Sequence, residues 1–187
     1  MDSDDTDETL MGRIAEGDRG AFHALTRRHL PRFLRVATRI LGNASEAEDV
    51  AQEAFLRVWS HADRWDGGKA KVTTWMHRIV VNLCIDRKRK ARTVPLDEAG
   101  DPADPAPSAS DDLWRTQMAG LVNQAVGGLP ERQRAALALC YFEEMSNVEA
   151  AQALSVSVSA LESLLVRARR TVRDRLTAMG LKTAVEE

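Results

Sequence analysis

The chain has 187 residues, 44% of them hydrophobic and 29% charged, which fits a globular protein and excludes a disordered or membrane-embedded one. Aromatics are only 5% while Ala, Leu and Arg abound, which favours helices over a β-sandwich. The formal net charge of −2 argues by itself against a nucleic-acid binder, but the charges are strongly segregated along the chain.

The first eight residues, MDSDDTDE, hold five acids and no base, the opposite of a secretory signal, and read as an acidic tail. Residues 9–92 follow as a first domain with 17 bases and 9 acids. In it Phe22, Leu25, His29, Phe33, Val36, Ala37 and Ile40 recur at helical spacing, with Arg27, Arg28, Arg32, Arg35 and Arg39 largely off the stripe. Pro31 is expected to bend or restart this helix, and Gly42-Asn43 to end it. Ser45 with Glu48 three residues on reads as a capping box for the next helix, over 45–62. Its apolar stripe is Ala47, Val50, Ala51, Ala54, Phe55, Val58, Trp59 and Ala62. The opposite face carries Asp49, Gln52, Glu53 and Leu56. That is either a solvated face with one stray leucine or a docking face for a basic partner with an apolar centre.

A loop over 62–71 places Trp65 among Arg64, Lys69 and Lys71, a combination suited to unpaired bases. Trp65 is expected to be exposed and Trp75 to be core. The helix over 72–92 has Val72, Trp75, Met76, Ile79, Val80 and Leu83 as its inner stripe, with His77, Arg78, Asn82, Asp86, Lys88 and Arg89 elsewhere. It ends in RKRKAR, a phosphate-binding composition that also suits the helix dipole. Residues 93–112 hold six acids, no base and four of the six prolines, and read as a flexible acidic linker.

In the second domain, 113–182, Trp114, Met118, Leu121, Val122 and Ala125 mark a helix that Leu129-Pro130 interrupts before 131–142. Ser146 with Glu149 is a second capping box, opening a short helix to Leu154. After the turn Ser155-Val156-Ser157, Leu161, Leu164, Leu165, Ala168, Val172 and Leu176 face inwards. Ser159, Glu162, Ser163, Val166, Arg167 and Arg170 face outwards. This is the layout of a helix-turn-helix major-groove reader, though ordinary helical bundles share it. Residues 183–187 form a tail. Cys84 and Cys140 are isolated, which fits buried thiols in a reducing cytoplasm. The chain has no phosphate-loop, dinucleotide, zinc-protease or nucleophile-elbow motif, and its histidines lack ligand spacing. No enzyme, metal, cofactor or small-molecule substrate is expected.

Four blocks in order, AFHALTRRHLPRFLRVATRILGN, SEAEDVAQEAFLRVW, TTWMHRIVVNLCIDRKRKAR and LPERQRAALALCYFEEMSNVEAAQALSVSVSALESLLVRARRTVRDRL, resemble the extracytoplasmic-function sigma factors of bacterial RNA polymerase. The resemblance implies an all-α fold of two small helical domains, a region 2 bundle and a region 4 helix-turn-helix. It implies promoter-specific initiation on core polymerase, with contacts to the β′ clamp and the β flap, to promoter DNA and to an anti-sigma factor. Asp49, Gln52, Glu53 and Leu56 fall where the family grips the β′ clamp. The 61–71 loop, with Trp65, Lys69 and Lys71, and Asn82 fall where it captures a flipped base of the minus-ten element. Arg78, Arg87, Lys88 and Arg89 would hold the backbone nearby. Ser159, Glu162, Ser163, Val166, Arg167 and Arg170 lie on the segment that reads the minus-thirty-five element, and the linker would thread towards the RNA exit path. The chain departs from the family at Glu162, where a base is common, at Ala150 and Ala151, where Ile and Ala are frequent, and at Ser155, where Gly is frequent. The free protein is expected to be compact, with either the domains closing on each other or the linker folding over basic surfaces. The competing readings are a helix-turn-helix regulator with a helical sensor or dimerisation domain, and a helical adaptor.

Overall fold

The computed structural model describes residues 5–93 and 111–181, with no strand among them. Residues 94–110 of the expected linker and the tail at 183–187 lie outside them. The helices are α1 (Asp7–Ala15), α2 (Arg19–Leu41), α3 (Ala44–His61), α4 (Val72–Thr93), α5 (Asp111–Gly127), α6 (Glu131–Leu137), α7 (Asn147–Leu154) and α8 (Val158–Ala178).

α1 opens inside the segment read as a tail. Thr6 caps it by accepting from the Thr9 amide at 3.2 Å, and Asp7 and Glu8 form the first turn, where acids complement the helix dipole. Asp7 also binds Arg28 at 2.6 Å and His29 at 2.8 Å on α2. Burial raises its pKa, and the hydrogen bonds from His29 and Arg28 more than reverse that. α2 runs unbroken through Pro31, which is exposed, and ends at Gly42 in the left-handed region (φ 74°). Asn43 is left extended and accepts from the Glu46 amide at 3.0 Å. α3 therefore starts at Ala44, and the expected Ser45–Glu48 capping box does not form, because Asn43 already caps the helix.

The first bundle packs Leu10 and Ile14 of α1, Phe33 and Ile40 of α2, Val50 and Val58 of α3, and Met76 and Val80 of α4. In the second, α7 and α8 form the expected helix-turn-helix around Leu154, Leu161 and Leu165. Arg175 of α8 fastens α5 by donating to the carbonyls of Ala125 at 2.8 Å and Gly128 at 2.9 Å. Its guanidinium lies so close that a Cβ at Gly128 would meet it at 2.2 Å. The two bundles close on each other. α2 meets α6 and α4 meets α7, and the buried residues of both halves form one cluster. Cys84 is buried, which pushes its thiol up to about 12, while Cys140 is only half-buried.

Candidate functional site

On α3 the side towards the core buries Ala47, Val50, Ala51, Ala54 and Val58, which leaves Asp49, Gln52, Glu53 and Leu56 together in solvent. Leu56 is 58% exposed. It is not a stray residue but the rim of an apolar groove of about 520 Å3 between α2 and α3. Phe22, Leu30, Leu34 and Phe55 line this groove, with Thr26, Glu48 and Gln52. The sequence reading missed the groove because Leu30 and Leu34, half of what α2 contributes to the lining, lie off the main stripe of α2. Glu53 pairs with Arg57 at 2.6 Å. Asp49 pairs with Arg87 at 2.8 Å, so Arg87 turns towards α3 rather than joining Arg78 and Asn82.

The 62–71 loop is folded around Trp65. The indole donates Nε1–H to the Ala70 carbonyl at 3.0 Å, and a Cβ at Gly67 would lie 3.1 Å from the ring. Trp65 is thus half-buried rather than exposed as expected, since its polar edge finds a carbonyl and the loop closes over its face. Trp75 is half-buried as well. Asp66 ties the loop by accepting from the Gly68 amide at 3.0 Å and pairing with Lys69 at 2.8 Å, and these contacts lower its pKa. Arg78, Asn82, Asp86 and Arg89 form one exposed strip along α4, while Lys88 is half-buried. His77 departs from the sequence expectation. It is fully buried, its ring edge-on to Phe33 at 5.0 Å and its Nδ1 2.7 Å from the Thr73 carbonyl. The second half covers that side of α4, which the helical period could not reveal.

In the helix-turn-helix, Ser146 and Glu149 form the predicted reciprocal capping box. Ser155 adopts the left-handed conformation (φ 54°), and Ser157 caps α8 by accepting from the Ala160 amide at 3.2 Å. Ser159, Glu162, Ser163, Val166, Arg167 and Arg170 are all exposed, and Val166 is an apolar spot among polar neighbours. Arg167 donates Nε–H to the Ser163 carbonyl at 3.1 Å, while Glu162 faces Asn147 of α7 at 3.5 Å. Among the described residues no group of His, Cys, Asp or Glu is placed to hold a metal, and no helix is long and apolar enough to cross a membrane.

Two family models match, Sigma-70 region 2 over residues 25–94 and Sigma-70 region 4 over residues 119–172. The chain is 29% identical over 175 residues to the ECF RNA polymerase sigma factor SigW of Bacillus subtilis (strain 168), covering 88% of this chain and 93% of that one. It is 33% identical over 166 residues to the ECF RNA polymerase sigma factor SigM of Mycobacterium tuberculosis (strain H37Rv), covering 88% and 81%. A similar solved structure is CnrH in complex with the cytosolic domain of CnrY, with a TM-score of 0.68 and 26% identity over 93% of this chain and 99% of that one. The two matched regions, in this order and on these helices, place the chain in the extracytoplasmic-function sigma factors of RNA polymerase.

Proposed function

We propose that the chain is a promoter-specificity subunit that binds core RNA polymerase and directs initiation, with no catalysis of its own. In this reading Asp49, Gln52, Glu53 and Leu56 dock on the β′ clamp and the second half on the β flap. Arg78, Asn82, Lys88 and Arg89, with Lys69 and Lys71 of the loop that Trp65 shapes, take the minus-ten strand. Ser159, Glu162, Ser163, Val166, Arg167 and Arg170 read the minus-thirty-five duplex. The protein works in the cytoplasm and is held by a separate anti-sigma factor. The fold is similar to that of CnrH, which was solved in complex with the cytosolic domain of CnrY, so a protein partner on this fold has a precedent.

The observation that carries the reading is the surface placement of the two sets on α3 and α8. Each is wholly exposed on one face of a helix whose opposite face is core. The α3 set also flanks an apolar groove, a shape a partner helix fills. Reconstituted run-off transcription with core enzyme on a linear promoter tests it. The expected result is a template-specific transcript that depends on the chain. Without one, dimeric binding of the chain alone to a palindromic duplex would replace this reading with the helix-turn-helix regulator.

A further inference from the structure

The turn between α6 and α7 reaches into the first half. Glu143, which follows a π-helical turn over Ala138–Phe142, has a side chain only 2% exposed. Arg32 of α2 donates Nε–H to its Oε2 and Nη2–H to its backbone carbonyl, the latter at 3.0 Å. His77 of α4 lies on the other side, its Nε2 3.9 Å from the same carboxylate. Glu149 divides its carboxylate. Oε2 closes the capping box with Ser146, and Oε1 takes the Lys71 ammonium at 2.8 Å. A polar cavity of about 120 Å3 remains among these groups. The first half lines it with Arg32, Lys71, Thr73, Thr74 and His77, and every carboxylate there comes from the second half.

The fit of Glu143 is incomplete. Its Oε1 and the Nε2 of His77 are buried and have no hydrogen-bond partner. The Thr73 carbonyl can only accept, so Nδ1 of His77 carries the proton. In the neutral ring Nε2 is then a bare acceptor facing an anion, and it donates only as imidazolium. Burial raises the pKa of Glu143, and the Arg32 guanidinium bound to the carboxylate works against that; the net shift is downward, so the carboxylate stays ionised as a charged occupant.

The notch adjoins the 62–71 loop through Lys71, on the helix that carries the exposed Arg78, Asn82 and Arg89. We propose that Arg32 and Lys71, with His77 at the back, form an anion-binding notch, filled in the closed chain by Glu143 and Glu149 and taken in the open chain by a backbone phosphate of promoter DNA. Undocking of the second half and DNA binding by the first are then one competition between carboxylate and phosphate. Closure does not hide the α3 face or the outer face of α8, both exposed; it buries His77 and occupies Arg32 and Lys71 with the carboxylates of Glu143 and Glu149. The proposal rests on the sigma-factor reading for the identity of the polyanion.

Two variants of the full chain separate opening from phosphate capture. Glu143→Gln removes the internal anion and keeps its shape, and Arg32→Gln removes the cation. Small-angle X-ray scattering should show both more expanded than the parent. Only Glu143→Gln should bind a fluorescent 20-nucleotide single-stranded DNA several-fold more tightly. Arg32→Gln should show a salt slope smaller than that of Glu143→Gln by about 0.7. The exchange Arg32→Glu with Glu143→Arg should restore the compact form, which guards against misfolding of either single variant. Equal DNA affinity in the two single variants, or compact scattering from both, would overturn the notch. Run-off transcription by the parent is read separately. Normal run-off with no difference between the variants overturns the notch alone and leaves the sigma reading standing.

Discussion

Leu56 and its neighbours on α3 bear the proposed polymerase contact, and Glu53 is the residue to change. It is exposed, and its one ion pair, to Arg57 in the next turn, is of the i,i+4 kind that contributes only a few tenths of a kcal/mol. Glu53→Lys keeps helix propensity and reverses the charge, so the variant should fold normally while competing poorly for core enzyme. A competition assay against a reference sigma factor checks this, and undiminished competition would remove α3 from the docking surface. Glu149 gives a pH-dependent counterpart. Lys71 and the donors of Ser146 hold its carboxyl down at about 2 against an ordinary value of 4.5. Because the folded value lies below the unfolded one, its stabilising contribution is complete above about 4.5 and drains away as pH falls through about 2. The urea midpoint of Glu149→Gln should therefore lie below that of the parent at neutral pH and converge on it as pH falls towards 2. A constant gap across that window would show that the pairing is not what lowers the pKa.

Among the elements, the start of α3 offers a contrast between two adjacent candidates. Asn43 makes the capping bond and Ser45 does not. Asn43→Ala should cost about 0.5–2 kcal/mol and lower the thermal midpoint by a few degrees, while Ser45→Ala should be close to silent. Thermal unfolding followed by circular dichroism reads both. This pair also marks how far the sequence carried. The inner stripes of α2, α3 and α8 were legible because a helix facing one core repeats its apolar residues at one period. The outward sets on α3 and α8 followed by subtraction. The cap was misread because Gly42 stops α2 early enough to free Asn43, a matter of backbone conformation rather than pattern. α4 was half-read because it is buried twice. Val72, Met76, Val80 and Leu83 pack on one side, while Thr74, His77, Val81 and Cys84 are covered on another. The second covering comes partly from α7, distant in sequence. For the same reason the apolar groove and the Arg32–Glu143 contact, 111 residues apart, left no local trace.

For the whole molecule, size sets the constraint. A compact chain of this length has a radius of gyration of about 16 Å. The minus-ten and minus-thirty-five elements are separated by roughly 25 base pairs, about 85 Å at 3.4 Å per pair. The closed chain therefore reaches one element at a time, and engaging both requires the halves to part. The Lys71–Glu149 contact at 2.8 Å makes this observable, since a carbodiimide joins an ammonium to a carboxylate at contact distance without a spacer. The Lys71–Glu149 cross-linked peptide should be recovered by mass spectrometry from the free chain and be lost once core polymerase is bound. Its persistence on polymerase would mean that the closed arrangement survives docking. The covalent connection between Thr93 and Asp111 gives closure a further property, because the two halves meet as tethered ligands rather than as free solutes. Because they share one chain, Glu143 and Glu149 meet Arg32 and Lys71 at an effective concentration set by the length of the connection, which for short connections in general is on the order of millimolar. Doubling the tether lowers that concentration only about threefold, or about 0.6 kcal/mol. Linker length is thus a fine adjustment of how readily the factor opens. Cutting the linker is a coarse one, since it returns closure to the bulk concentration of the fragments.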